Sequence, residues 1–141
     1  MLAQILIGSV MLGTTVALLG VMIVVATDWL LKHPHAHAIR RSLPLQITLV
    51  SFMSLWLALG LLIVMALWAT VLYVLGLFDT FYQSMYFSMI AFTTLGFGDY
   101  VLPLEWGLLS GFIATDGFIL FGLGTAFLFE VLRQLRDTAE R

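Results

Sequence analysis

The stretch Thr93-Thr94-Leu95-Gly96-Phe97-Gly98-Asp99 alternates glycine with larger residues, and its chemistry would come from the main chain. Glycine reaches positive φ at little steric cost. Alternating it with ordinary residues can turn successive carbonyls to one side, making a ladder of oxygens from Thr94 to Phe97. Such a ladder can stand in for the water shell of a dehydrated cation. Irregular backbone at membrane depth survives only where protein buries it or where it lines a wet cavity. A plain Gly-rich turn between two helices would explain neither the threonines nor the aspartate.

Two further sets of residues carry possible chemistry. Asp116 lies about ten residues into the last apolar run, where an acidic side chain is expensive in lipid and faces a bundle interior or water. His33, His35 and His37 alternate beside Lys32. They suit a metal ligand set or a pH sensor, since histidine titrates near neutrality; the competing reading is a solvated interfacial loop. Alternation puts side chains on one side only in an extended segment, and Pro34 favours extension of the residue before it.

The elements that position these residues follow from hydropathy. Of the 141 residues, 62% are hydrophobic and 10% charged, against about 25% charged in soluble domains, and the mean hydropathy is +1.08. The chain therefore belongs in a lipid bilayer, as one compact membrane domain. Six Lys and Arg leave little to hold a nucleic acid, and the absence of cysteine removes disulfides and thiolate sites. No nucleophile–base set or paired carboxylates share a pocket, so enzymatic work is not expected, nor is a cofactor.

An apolar run over 1–31 exceeds the ~20 residues that a spanning helix needs. A cleaved signal would have a basic start and a shorter apolar core; here the first basic residue is Lys32, after the run, so a retained helix is expected. Ser9, Gly13, Ala17 and Gly20 form a small-residue face on it that would let another helix approach. A basic, His-containing loop occupies 32–44, and a second helix is predicted over 45–78. Asp79-Thr80 offers an N-cap for a short amphipathic helix over 80–92, about 20 Å long and too short to cross. Its C-terminal partial negative charge would point toward the membrane centre and favour a cation there. The last helix is predicted over 105–133, and 134–141 form a charged tail.

The expected fold is an all-α membrane protein with three transmembrane helices and a re-entrant helix between the second and third. Lys32, Arg40, Arg41, Arg133, Arg136 and Arg141 are all the basic residues, and three spans put them on one side. By the positive-inside rule that side is cytoplasmic. The N-terminus then lies outside, as does the stretch from Asp79 to Glu105, which holds three acidic residues and no basic one. Neither of the first two helices carries the arginine series of a voltage sensor.

The string FTTLGFGDY resembles the T-T-V-G-Y-G-D filter signature of the potassium channel family. The resemblance extends from Leu61 to Leu132: MYFS at 85–88 is similar to the pore helix of bacterial members, and Pro103 and Trp106-Gly107 fall where two-helix bacterial channels have Pro and Trp-Gly. The first helix is an addition to that two-helix pore type. The resemblance implies a homotetramer in the inner membrane, with a pore domain over 45–133 and K+ as the permeant ion. The carbonyls of Thr94, Leu95, Gly96 and Phe97 and the Thr94 hydroxyl would form the ion sites. Gly98 would permit the outer turn, and Thr93, Asp99 and Tyr86 would support the filter.

Phe97 replaces the commoner Tyr, Leu95 replaces Val, and Ile90 stands where some members place a glutamate behind the filter. A carboxyl pair with Asp99 is thus impossible; the resemblance places an aromatic donor at Tyr86, and Asp99 is expected to accept a hydrogen bond from it instead. Asp116 falls near the cavity-lining stripe of the family's inner helix. Four such carboxylates could concentrate cations, magnesium or polyamines, or the carboxyl could be hydrogen-bonded between helices, against Thr115 or a neighbour. Gly117, Gly122 and Gly124 could serve close packing or bending, with the family's hinge position falling on Phe118. Glu130 would form an ion-attracting ring at the inner mouth or pair with Arg133. A weakly selective cation channel of the same fold and a non-conducting membrane scaffold are the alternative functions.

Overall fold

The computed structural model describes residues 1–32 and 42–136. The loop bearing His33, His35, His37, Arg40 and Arg41 and the tail beyond 136 lie outside the described residues. Helix α1 runs Leu2–Lys32, α2 Leu43–Val74, α3 Phe81–Phe92 and α4 Leu108–Arg136, with one 3-10 turn at Leu104–Trp106. Among the described residues there is no strand. Among the described residues, three helices are long and apolar enough to cross a membrane, over Leu2–Leu30, Leu43–Val74 and Leu108–Leu135. The 12 residues of α3 reach only ~18 Å.

Helix ends are set by local chemistry. Pro44 stands in the first turn of α2, where a missing N–H costs nothing. At the other end Gly76 takes φ 68°, and the N–H groups of Gly76 and Leu77 donate to the carbonyls of Tyr73 and Leu72 at 3.0 and 3.2 Å. This paired closure on a left-handed residue is a Schellman motif. It ends α2 at Val74, four residues before the expected 78, because glycine stops the helix although apolar residues continue. The last helix likewise divides: Trp106 N–H donates to the Pro103 carbonyl at 2.7 Å in the 3-10 turn, and α4 proper begins at Leu108.

The core forms where α3 wedges between α2 and α4. Trp68, Phe92, Leu109, Ile113 and Leu120 have no exposed surface, and Ser88 Oγ donates to the Met65 carbonyl at 2.7 Å, pinning α3 to α2. Lipid tails are as apolar as leucine, so van der Waals fit and interhelical hydrogen bonds hold such helices together. A second cluster, with Leu49, Met53, Phe127 and Val131, closes the other end of the bundle.

Helix α1 buries Gln4, Gly8, Thr15, Leu19, Ala26 and Leu30, spaced by four and seven residues and so on one face. Gly8 is where backbone meets side chain: a Cβ there would lie 2.4 Å from the Phe112 ring. The expected small-residue face is not the contact face. Ser9, Gly13 and Ala17 are exposed, and a Cβ on Gly13 or Gly20 would meet nothing within 4 Å. An all-round apolar helix carries no stripe by which its buried side can be read.

Candidate functional site

The site is built from α3 and the irregular segment 93–100 beyond its C-terminus. Thr80 caps α3 reciprocally with Gln83: Gln83 N–H donates to Thr80 Oγ1 and Thr80 N–H to Gln83 Oε1, each at 3.2 Å. At the far end Thr94 N–H donates to the Ala91 carbonyl and Leu95 N–H to the Ile90 carbonyl, both at 3.0 Å. This is the closure seen at Gly76, but with threonine in the left-handed place, at φ 59°. A left-handed conformation costs a residue with a Cβ about 1–2 kcal/mol, and for a β-branched residue it is an outlier.

Positive φ then recurs at every second residue: Thr94 at 59°, Gly96 at 54° and Gly98 at 80°. That alternation carries the chain away from α3 without helix or strand. Residues 94–98 are all exposed in the single chain, with Leu95 at 61% and Phe97 at 66%. Beside them opens a groove of about 340 Å³ lined in part by Phe87, Ile90, Gly96, Ser110 and Ala114.

Asp99 anchors the end of the segment. Tyr86 donates its hydroxyl proton to Asp99 Oδ2 at 2.7 Å, the contact expected from the sequence, and Tyr100 N–H donates to Oδ1 at 3.1 Å. This hydrogen bond, with the nearby carboxylate charge, holds the Tyr86 phenol above its ordinary pKa. Tyr86 also lies edge-on to Tyr100, centroids 5.6 Å apart, and Phe78 packs on Phe87 and Tyr100 at 5.2 and 6.2 Å. Thr93 turns its hydroxyl back to the Met89 carbonyl at 2.8 Å, finishing α3.

The base of the segment rests on α4. A Cβ on Gly117 would lie 2.0 Å from the Phe92 carbonyl oxygen, and the rings of Phe92 and Phe121 meet at 5.5 Å. Gly124 similarly admits Leu57, 2.8 Å from a Cβ position, whereas Gly122 faces open space. Gly117 and Gly124 therefore serve close packing.

Asp116 does not face a cavity. It has no exposed surface; Trp68 Nε1 donates to Oδ2 at 2.7 Å, and Thr15 Oγ1 lies 2.9 and 2.8 Å from Oδ1 and Oδ2. The hydrogen-bonded alternative holds, with partners on α1 and α2 rather than Thr115, whose hydroxyl donates to the Gly111 carbonyl. Isolated exposure to hydrocarbon would cost an aspartate about 2.5–3.5 kcal/mol or more, and two polar partners offset that cost. Glu130 sits 4.0 Å from Arg133 Nη1 in a half-exposed pair, and Phe118 is 78% exposed.

Sequence reasoning also missed Gln4. Its Oε1 accepts from Leu108 N–H at 3.2 Å and its Nε2 donates to the Glu105 carbonyl, capping α4 from α1. A lone amide in an apolar helix was the available signal. Thr15 gave no signal beyond being a hydroxyl.

A family model described as an ion channel matches residues 60–134, which is 75 of the 141 residues. The chain belongs to the ion channel family. The match holds the second half of α2, α3, the 94–98 segment and α4 into its last turn, so Tyr86, Asp99, Asp116 and Gly117 are all parts of the channel domain. Helix α1, with Gln4 and Thr15, lies outside that interval. No curated protein and no solved structure matches the chain.

Proposed function

We propose that this chain is one subunit of a potassium-selective channel in the inner membrane, a homotetramer that conducts K+ passively along a central axis. The observation that carries this reading is positive φ at Thr94, Gly96 and Gly98, beyond a helix too short to span. In this reading α3 is re-entrant and 94–98 are the filter. The carbonyls of Thr94, Leu95, Gly96 and Phe97, with the Thr94 hydroxyl, replace the water shell of the ion. Because the groups that Leu95 and Phe97 lend are main-chain carbonyls, these two side chains alter the packing around the filter without removing an ion ligand.

One strand cannot encircle an ion. The exposure of Leu95 and Phe97 and the open groove beside Gly96 support a neighbouring copy packing there, four around one axis. The exposed α4 residues Thr115, Ile119, Gly122 and Ala126 then line the passage below. Acidic residues at 79, 99 and 105 favour cations on the outer side, with the N-terminus outside and the C-terminus cytoplasmic.

Flux from purified protein in liposomes tests the reading. Potassium efflux without matching sodium flux, from particles of tetrameric mass, is the expected result. Reversal potentials near zero in mixed sodium and potassium would indicate a weakly selective cation channel. Intact tetramers or monomers with no flux would indicate a scaffold.

A further inference from the structure

The carboxyl of Asp116 joins three helices at a depth where lipid offers no hydrogen bonds. Thr15, Trp68 and Asp116 all have zero exposed surface, and they come from α1, α2 and α4. The next residue, Gly117, carries the backbone contact with the Phe92 carbonyl, the last carbonyl of α3 before the filter segment. We propose that Asp116 is a positioning residue: its lock to Thr15 and Trp68 fixes the rotation of α4 so that Gly117 seats the base of the filter. This rests on the conduction reading and adds α1, outside the matched family interval, to the parts that set filter geometry.

The lock needs an acceptor for the Trp68 N–H and a hydrogen-bonding partner for the Thr15 hydroxyl. Thr15 Oγ1 lies 2.9 and 3.0 Å from the carbonyls of Met11 and Leu12 as well as near both Asp116 oxygens, yet a hydroxyl has one hydrogen to give. A side chain at 116 that accepts from Trp68 with one terminal atom and donates to Thr15 with the other frees that hydrogen for Met11. All groups are then satisfied. A carboxyl group can do this, and so can the carboxamide of asparagine. Leucine can do neither, and leaves the Trp68 N–H buried without an acceptor.

A role in attracting cations predicts the opposite, since asparagine keeps the shape and removes the charge. The test compares Asp116→Asn, Asp116→Leu and Thr15→Val in liposomes, reading the ratio of potassium to sodium flux. Exchange of the Trp68 indole proton is followed by NMR and assigned with Trp68→Phe. Asp116→Asn is expected to keep the flux ratio and a protected indole proton. Asp116→Leu and the isosteric Thr15→Val are expected to lower the ratio about tenfold, the scale of one buried hydrogen bond. If Asp116→Leu does not assemble, Thr15→Val carries the comparison. The proposal is overturned if Asp116→Asn is as damaging as Asp116→Leu, or if Thr15→Val leaves the ratio unchanged. Wild-type protein without flux but with a protected indole proton would count against conduction and for the lock.

Discussion

The carbonyl oxygen of Phe92 lies 2.0 Å from where a Cβ on Gly117 would stand. The last turn of α3 thus rests on bare α4 backbone, and neither partner of this contact is a flexible side-chain tip. The proposed ion sites begin two residues later, at Thr94, so the height of the proposed filter depends on that seat.

Gly117→Ala is expected to displace α3 from α4 and to destabilise the assembled protein by about 1–3 kcal/mol, as overpacking does. Gly13→Ala, where a Cβ meets nothing within 4 Å, is the control and should leave stability within about 0.5 kcal/mol. Thermal melting of the purified oligomer in detergent checks both. Equal behaviour of the two variants would mean that the close approach at Gly117 supports nothing.

Thr94→Gly relieves the left-handed penalty of about 1–2 kcal/mol, a gain partly cancelled by the extra chain entropy of glycine. Stability is therefore expected to hold or rise while potassium flux falls, because the hydroxyl is gone. Melting and flux measured on one preparation separate these effects. A variant that conducts as well as wild type would show that Thr94 contributes backbone alone.

Tyr86→Phe deletes the hydrogen bond to Asp99 and nothing else of the ring packing. Conduction is expected to decay several-fold faster under sustained driving force, since the outer end of the segment loses its tether. The phenol's raised pKa gives the pH dependence a sign. A group whose pKa is raised in the folded state contributes fully below its ordinary value near 10 and loses that contribution as pH climbs through the folded value. Wild type should keep its slow decay through mildly alkaline solution and approach the Tyr86→Phe rate only above about pH 10. Stopped-flow flux at stepped pH reads this directly.

Gln4→Leu strips the caps from Leu108 N–H and the Glu105 carbonyl while keeping the apolar bulk. A loss of about 1 kcal/mol is expected for these part-buried groups left without partners. Faster hydrogen exchange confined to the start of α4 would locate it. Exchange unchanged at Leu108 would mean that water satisfies this end equally well.

How far the fold can be read from the residues depends on sequence distance. The three spans and the short α3 are legible because they rest on run length, and the tether of Asp99 to Tyr86, 13 residues apart, because the filter resemblance places an aromatic donor there. The family match over 60–134 covers α3, the tether and nearly all of α4, and leaves out α1. The partners of Asp116 lie 48 and 101 residues away, on helices whose buried faces no hydropathy pattern marks. The early end of α2 was legible in principle, since Gly76 is followed by a turn. Leu77 and Phe78 hid it, because they face the aromatic cluster rather than lipid. The left-handed Thr94 was not legible: its residue type argues against that conformation, and only the recurrence at Gly96 and Gly98 makes sense of it.

Gln4 and Thr15 hold α1 to α4 at two levels, eleven residues or about 16 Å apart along the helix. Two attachments at different heights resist a change of slant in one helix without the other. A tilt of α1 is therefore passed to α4 at both its start and its middle, and the two helices meet the surrounding bilayer as one unit.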